Sequence, residues 1–198
     1  MSAWIEMIAD ADADRELAAA LELARTPHGT VDNVMRVHSL RPATMHGHLL
    51  LYRAALHNDA NTIPMWLQEC LASWVSLLNG CAYSLSNHWA NARHLIGDEA
   101  KAAKIEAALK AGRPADGFEP SECALFRYAE KLTLTPRDMI EADVTSLRDA
   151  GFDDGQILEA NQIIAYFCYV NRSLNGLGVT TESDVVGYYD DPSPTESS

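Results

Sequence analysis

The sequence predicts an all-α fold in a single domain, and three observations carry that prediction. Strong helix formers dominate long stretches, the alternation of a half-buried strand is nearly absent, and Gly, Pro and Asn-Gly breaks fall at helix-length intervals. The chain has 198 residues, enough for one domain with a real core, and no composition shift or internal repeat marks a second. Seven or eight helices packed around one core are expected.

Taken in order, residues 12–25 form the first helix, broken by T-P-H-G-T. The second runs from Pro42 to His57, with Leu49, Tyr52, Arg53 and Leu56 at helical spacing. N-D-A-N-T-I-P interrupts it. Pro64 then suits the start of a helix that begins near Met65 and carries Glu69. Asn79-Gly80 is a turn signal inside this helical region. Residues 98–111 form a helix capped by Asp98 and stopped at Gly112. Another opens near Ser121, and T-P-R-D opens the next with Thr135 as N-cap, Pro136 in its first turn and Gly151 at its end. The last long helix, from Phe152 to about Gly176, is apolar around most of its circumference, as a helix in the core or at a subunit contact would be. The domain is drawn at 1–189. The remainder, 190–198, is acidic and Pro/Ser-rich, lacks core-forming residues and is expected to be disordered.

Charge and composition narrow the function. A formal net charge of −13 opposes binding to phosphate backbones and to anionic membrane surfaces, so neither nucleic acid nor membrane is an expected partner. The N-terminus lacks a secretory pattern, and no run approaches the roughly 18 apolar residues of a membrane span. Four scattered cysteines do not form a disulfide framework, so a reduced, cytoplasmic protein is expected. Cys70, Cys123 and Cys168 sit among apolar neighbours and read as inert core residues.

The residues with chemistry cluster in N-G-C-A-Y-S-L-S-N-H, residues 79–88. If a helix restarts after Asn79-Gly80, Cys81 falls in its first turn, where free backbone N–H groups favour a thiolate. At about 100° per residue, Ser84 and His88 lie roughly 300° and 340° round from Cys81, so the three share one face. His88 is the natural proton acceptor of the set. Glu69, twelve residues upstream, would sit about 18 Å away on an unbroken helix, and joins the site only if the chain bends at Asn79-Gly80. Cys81 also has a plain reading as a small buried hydrophobe, and Glu69 as a solvated charge.

No metal is expected, because His46 with His48 and His88 with His94 lack the i, i+3 or i+4 spacing of a helical site. No cofactor is expected either. Trp66, Trp74 and Trp89 read as core or oligomer-contact residues, and Tyr83 as a pocket-lining or packing residue. Arg93 reads as half of a structural ion pair, and Asn171-Arg172 as structural.

The order Glu69-x11-Cys81-x2-Ser84-x3-His88 resembles the E-x11-C-x2-C-x3-H signature of the alkylhydroperoxidase D-like group of the carboxymuconolactone decarboxylase superfamily. The run W-V-S-L-L-N-G-C-A-Y-S is similar to its peroxidase-related branch, which reads N-G-C-x-Y-C. V-D-N-V-M-R-V-H-S-L-R-P, L-F-R-Y-A-E-K-L-T-L-T-P, D-A-G-F-D-D-G-Q-I-L-E-A and V-N-R-S-L-N-G-L-G extend the resemblance over residues 31–179. It implies an all-helical homo-oligomer (dimer, trimer or hexamer) that reduces peroxides with thiols. Glu69 and His88 would be the proton relay, Cys81 the first cysteine, a hydroperoxide the substrate and an external thiol the reductant.

Ser84 departs from that pattern, because serine cannot form the internal disulfide. What remains is one-cysteine chemistry, in which Cys81 becomes a sulfenic acid and an outside thiol restores it. Cys70 is a conceivable resolving partner. Ser84 itself could support the Cys81 thiolate, or could be a substitution introduced to arrest the cycle. Two other functions compete: a cofactor-free decarboxylase or isomerase using His88 and Glu69 as acid and base, and a non-catalytic oligomeric relative.

Overall fold

The fold was obtained as a computed structural model that describes residues 2–189. The expected acidic tail, 190–198, lies outside them. Among the described residues there are nine α-helices and no strand: α1 Arg15–Leu23, α2 Asn33–Arg36, α3 Pro42–Leu56, α4 Met65–Leu78, α5 Ala82–Ile96, α6 Glu99–Lys110, α7 Pro120–Leu134, α8 Glu141–Asp149 and α9 Asp154–Leu177.

Local chemistry explains most boundaries. Asp14 accepts from the Leu17 N–H and starts α1 three residues later than expected, because Asp10–Asp12 forms a separate 3-10 turn. Asp98 caps α6 by accepting from Lys101 N–H. Asp153 and Gln156 bond each other's backbone N–H across the first turn of α9, a reciprocal cap.

One expectation needs correction. T-P-R-D does not open one helix running to Gly151. Pro136–Asp138 is a short 3-10 turn, and Thr135 Oγ1 turns back to the carbonyl of Lys131 instead of capping forward. α8 begins after Ile140, whose N–H is held by the Asp143 carboxylate, and Lys131 Nζ fixes that carboxylate at 2.7 Å. α9 is buried on the side facing the core, while Leu158 and Tyr169 are 58% and 44% exposed on the single chain. The most deeply embedded helix is α4, in which every residue from Leu67 to Ser76 is buried.

α4 packs against α5, α7 and α9 and forms the axis of the main core. A second, smaller core joins α1, α2 and α3 through Leu17, Leu21, Met35, Met45 and Leu49. No helix among the described residues is long and apolar enough to cross a membrane.

Candidate active site

The join between α4 and α5 places the site. Gly80 N–H bonds to Leu77 O at 3.1 Å and Cys81 N–H to Ser76 O at 2.9 Å, the paired bonds of a glycine-terminated helix. Gly80 supplies the left-handed residue this turn requires, with φ of +62°. Cys81 therefore closes α4 and, as the N-cap residue, opens α5. It stands one position before the first turn in which the sequence places it.

The turn sends α5 back along α4 and brings Glu69 to His88. His88 Nδ1–H donates to Glu69 Oε2 at 2.6 Å, and Asn91 Nδ2 donates to Glu69 Oε1 at 3.2 Å. Glu69 is fully buried, so both carboxylate oxygens are matched by donors on α5. The bond through Nδ1 leaves His88 Nε2 as the nitrogen available for chemistry. Phe167 of α9 packs edge-on against the ring, centroids 4.6 Å apart.

Of the four candidate residues, Glu69 and His88 meet directly. Cys81 and Ser84 are both buried beside them in sequence, and neither side chain is hydrogen-bonded to His88. Burial pushes the Cys81 thiol above its ordinary pKa, and the N–H groups of Ser84 and Tyr83 pull it back only in part. Cys70 is fully buried and its thiol is pushed far higher, by desolvation and then by the nearby Glu69 charge. It belongs to the core. Cys123 is buried as expected, while Cys168 is only half-buried.

His88 faces a cavity of about 460 Å³ where the two cores meet. Ala24, Met35 and Leu49 line it from the smaller core, and Tyr83 and Tyr166 from the larger, with Asn87 beside them. Cys81 and Ser84 are not among its lining residues.

Several cavity residues carry no motif in the sequence. Tyr52 and His57 form a pair in one wall of the cavity, with Tyr52 Oη 2.6 Å from His57 Nε2. Residues 180–189 are tied to the cavity wall, which Gly187 and Tyr188 help to line: Tyr83 Oη donates to Asp184 Oδ2 at 2.6 Å, and the Gly187 and Tyr188 N–H groups donate to Asn87 and Asn91. Asp32 also lines the cavity, and its carboxyl is pushed up to about 6 by burial and by Asp184. Helical spacing could have flagged Asn87 and Asn91, which follow Tyr83 at i+4 and i+8 on α5. Nothing local points to Tyr52, His57 or Asp184, because tertiary packing alone assembles them.

The remaining residues are structural. Arg93 pairs with Glu99 at 2.8 Å, Trp74 Nε1 donates to Phe126 O at 3.2 Å, and Asn171 Nδ2 donates to Ser76 Oγ at 3.3 Å.

The sequence matches no family model and no curated protein. Solved structures are similar over nearly the whole chain. An uncharacterized peroxidase-related protein with an AhpD core, from Ralstonia eutropha JMP134, aligns with a TM-score of 0.78 at 21% identity, covering 91% of this chain and 93% of its own. An uncharacterized peroxidase-related protein from Silicibacter sp. TM1040 aligns with a TM-score of 0.74 at 22% identity, covering 90% and 91%. The debrominase Bmp8 aligns with a TM-score of 0.71 at 18% identity, covering 92% of each chain. A single all-helical domain with this extent of overlap has the fold of the alkylhydroperoxidase D-like proteins.

Proposed function

We propose that the protein is a thiol-dependent, peroxidase-like oxidoreductase in which Cys81 is the reactive thiol and Glu69–His88 the proton relay. The observation that carries this reading is the 2.6 Å bond from His88 to a fully buried Glu69, one helix turn beyond the Cys81–Ser84 segment. Glu69 orients the ring and stabilises the imidazolium, so that His88 Nε2 can take a proton and return it.

In the first half-reaction Cys81 sulfur attacks a peroxide oxygen. The S–O bond forms, the O–O bond breaks, and the thiol proton passes through His88 to the departing alkoxide, giving Cys81 sulfenic acid and an alcohol. In the second, one external thiol forms a mixed disulfide with Cys81 and releases water; a second thiol frees Cys81 and leaves as part of a disulfide. With Ser84 in place of a second sulfur, the oxidised state is resolved from outside the chain. Burial raises the Cys81 pKa, which disfavours the thiolate, so a base that takes the proton speeds the attack.

The test is thiol-dependent peroxide consumption by wild type, Cys81→Ser and His88→Ala. Loss of turnover in both variants is expected; equal rates in wild type and Cys81→Ser contradict the reading.

A second reading has its own observation: His88 lines the cavity and Cys81 does not. Glu69–His88 would then act as acid and base on a small molecule with no thiol step, as in a cofactor-free decarboxylase or isomerase. Activity that survives cysteine alkylation and is lost in His88→Ala marks this case. Bmp8 has been solved with 2,3,4-tribromopyrrole, which adds small halogenated aromatics to the compounds worth screening.

A further inference from the structure

We infer that Tyr166, His48 and His38 form a directed proton path that carries protons from the cavity to the surface. Four hydrogen bonds stand in series. Thr44 Oγ1 is 2.8 Å from the Arg41 carbonyl and 2.8 Å from His38 Nδ1. His38 Nε2 is 3.0 Å from His48 Nδ1, and His48 Nε2 is 2.9 Å from Tyr166 Oη. Thr44 is exposed, His38 half-buried and His48 buried, while Tyr166 lines the cavity. The series therefore spans the wall between solvent and site.

Its polarity follows from one end. A carbonyl only accepts, so the Thr44 hydroxyl donates to Arg41 and must accept from His38 Nδ1–H. A neutral His38 then accepts at Nε2 from His48 Nδ1–H, and His48 accepts at Nε2 from Tyr166 O–H. Every proton points outward. Towards the cavity, Tyr166 presents only oxygen lone pairs, so it receives protons from a ligand.

A ligand that must lose a proton fits this wall. In the proposed reaction, on which this use of the path rests, that ligand is the external thiol, which attacks as a thiolate. Its S–H proton moves to Tyr166 Oη as the phenol proton moves to His48 Nε2. The Nδ1 proton of His48 moves to His38 Nε2, and the resulting His38 imidazolium passes its Nδ1 proton to Thr44 Oγ1, whose own hydroxyl proton leaves to water at the exposed end of the path. The transfers are coupled. Burial raises the Tyr166 phenol far above its usual range, against phenolate, and lowers His48 to about 3, against imidazolium. The groups facing His48 are His38, Tyr166 and Tyr169, and no carboxylate contributes to its titration.

Two measurements test the path. Nitrogen-15 NMR of the histidine rings, which needs no substrate, should find both His38 and His48 as neutral Nδ1–H tautomers at pH 7.5. An Nε2–H tautomer at either ring overturns the assignment. In turnover, His38→Ala and Tyr166→Phe should each slow thiol-dependent peroxide consumption about tenfold, and added imidazole should restore the His38→Ala rate but not that of Tyr166→Phe. Unchanged rates, or a slow His38→Ala that imidazole does not rescue, overturn the relay. An inactive wild type counts against the proposed reaction instead, and the tautomers then decide the path alone.

Discussion

His88 Nδ1 and Glu69 Oε2 are 2.6 Å apart across the α4–α5 interface, and Glu69 has no exposed surface. A buried carboxylate with donors on both oxygens ties the helices together as well as orienting the imidazole. Glu69→Ala strands His88 and Asn91 and should cost about 3–5 kcal/mol in chemical denaturation, the range for breaking a buried pair. Glu69→Gln keeps the shape and should cost far less, yet lose turnover by about 10²-fold or more, since it cannot stabilise a charged His88. Equal stability losses in the two variants would contradict this, and would show that the carboxylate charge, not the shape that Gln keeps, holds the pair together.

Cys81 is 1% exposed and burial raises its thiol pKa. It should react with hydrogen peroxide and methylating reagents well before bulky maleimides, and its reaction rate should keep rising above pH 8.5 until the thiol has ionised. Rates of modification of this residue, followed by peptide mass spectrometry from pH 6 to 11, check both. A rate that levels off below pH 7 would show a depressed thiol.

Gly80 has φ of +62°, and a Cβ there would meet no atom within 4 Å. The cost of Gly80→Ala is thus backbone strain alone, about 1 kcal/mol. Because Gly80 precedes Cys81 in the same turn, the substitution should also change the rate of Cys81 modification, whereas Gly97→Ala, at another left-handed helix end with open space around it, should cost similar stability and leave Cys81 unchanged. Comparing the two by denaturation and thiol labelling isolates the role of the turn.

Asp32 titrates at about 6 in the fold, against an ordinary 3.8, first because of burial and then because of Asp184. The folded state holds this proton more tightly than the unfolded chain, so the contribution of Asp32 to stability falls as pH rises from about 4 through about 6. Asp32→Asn should therefore stabilise the protein at pH 7.5 by about 1 kcal/mol, the full linkage value being reduced because the carboxyl is partly open to solvent, and much less at pH 4. Urea denaturation at the two pH values measures the difference.

Tyr83 fastens the C-terminal segment to the cavity wall by donating to Asp184 and accepting from Val34 N–H. Tyr83→Phe removes a charge-assisted bond and should cost about 2 kcal/mol. It should also raise proteolytic cleavage between residues 180 and 189 relative to wild type, read by limited digestion. An unchanged digestion pattern would mean that the other bonds to this segment suffice.

What the sequence makes legible follows the range of the interactions involved. α6 is readable because Asp98 and Gly112 are local signals, and the Cys81–His88 face because helical spacing is local. The bend that joins Glu69 to His88 is readable too, since Asn79-Gly80 announces it. Thr135 misleads because its hydroxyl bonds backward to Lys131, while Asp143, held by Lys131 from another helix, sets the next start. Tyr52, His57, Tyr166 and Tyr188 reach one cavity from α3 and its C-terminal end, from α9 and from the C-terminal segment. No short window of sequence contains that meeting.

Stoichiometric oxidation tests whether Cys81 is oxidised with help from Glu69 and His88. The protein is treated with one equivalent of hydrogen peroxide in the presence of a sulfenic-acid trap, and the labelled cysteine is identified by peptide mass spectrometry. A label is expected on Cys81 and not on Cys70, Cys123 or Cys168, with its initial rate reduced at least tenfold by His88→Ala. Labelling of Cys168 in preference to Cys81, or equal Cys81 rates with and without His88, would contradict it.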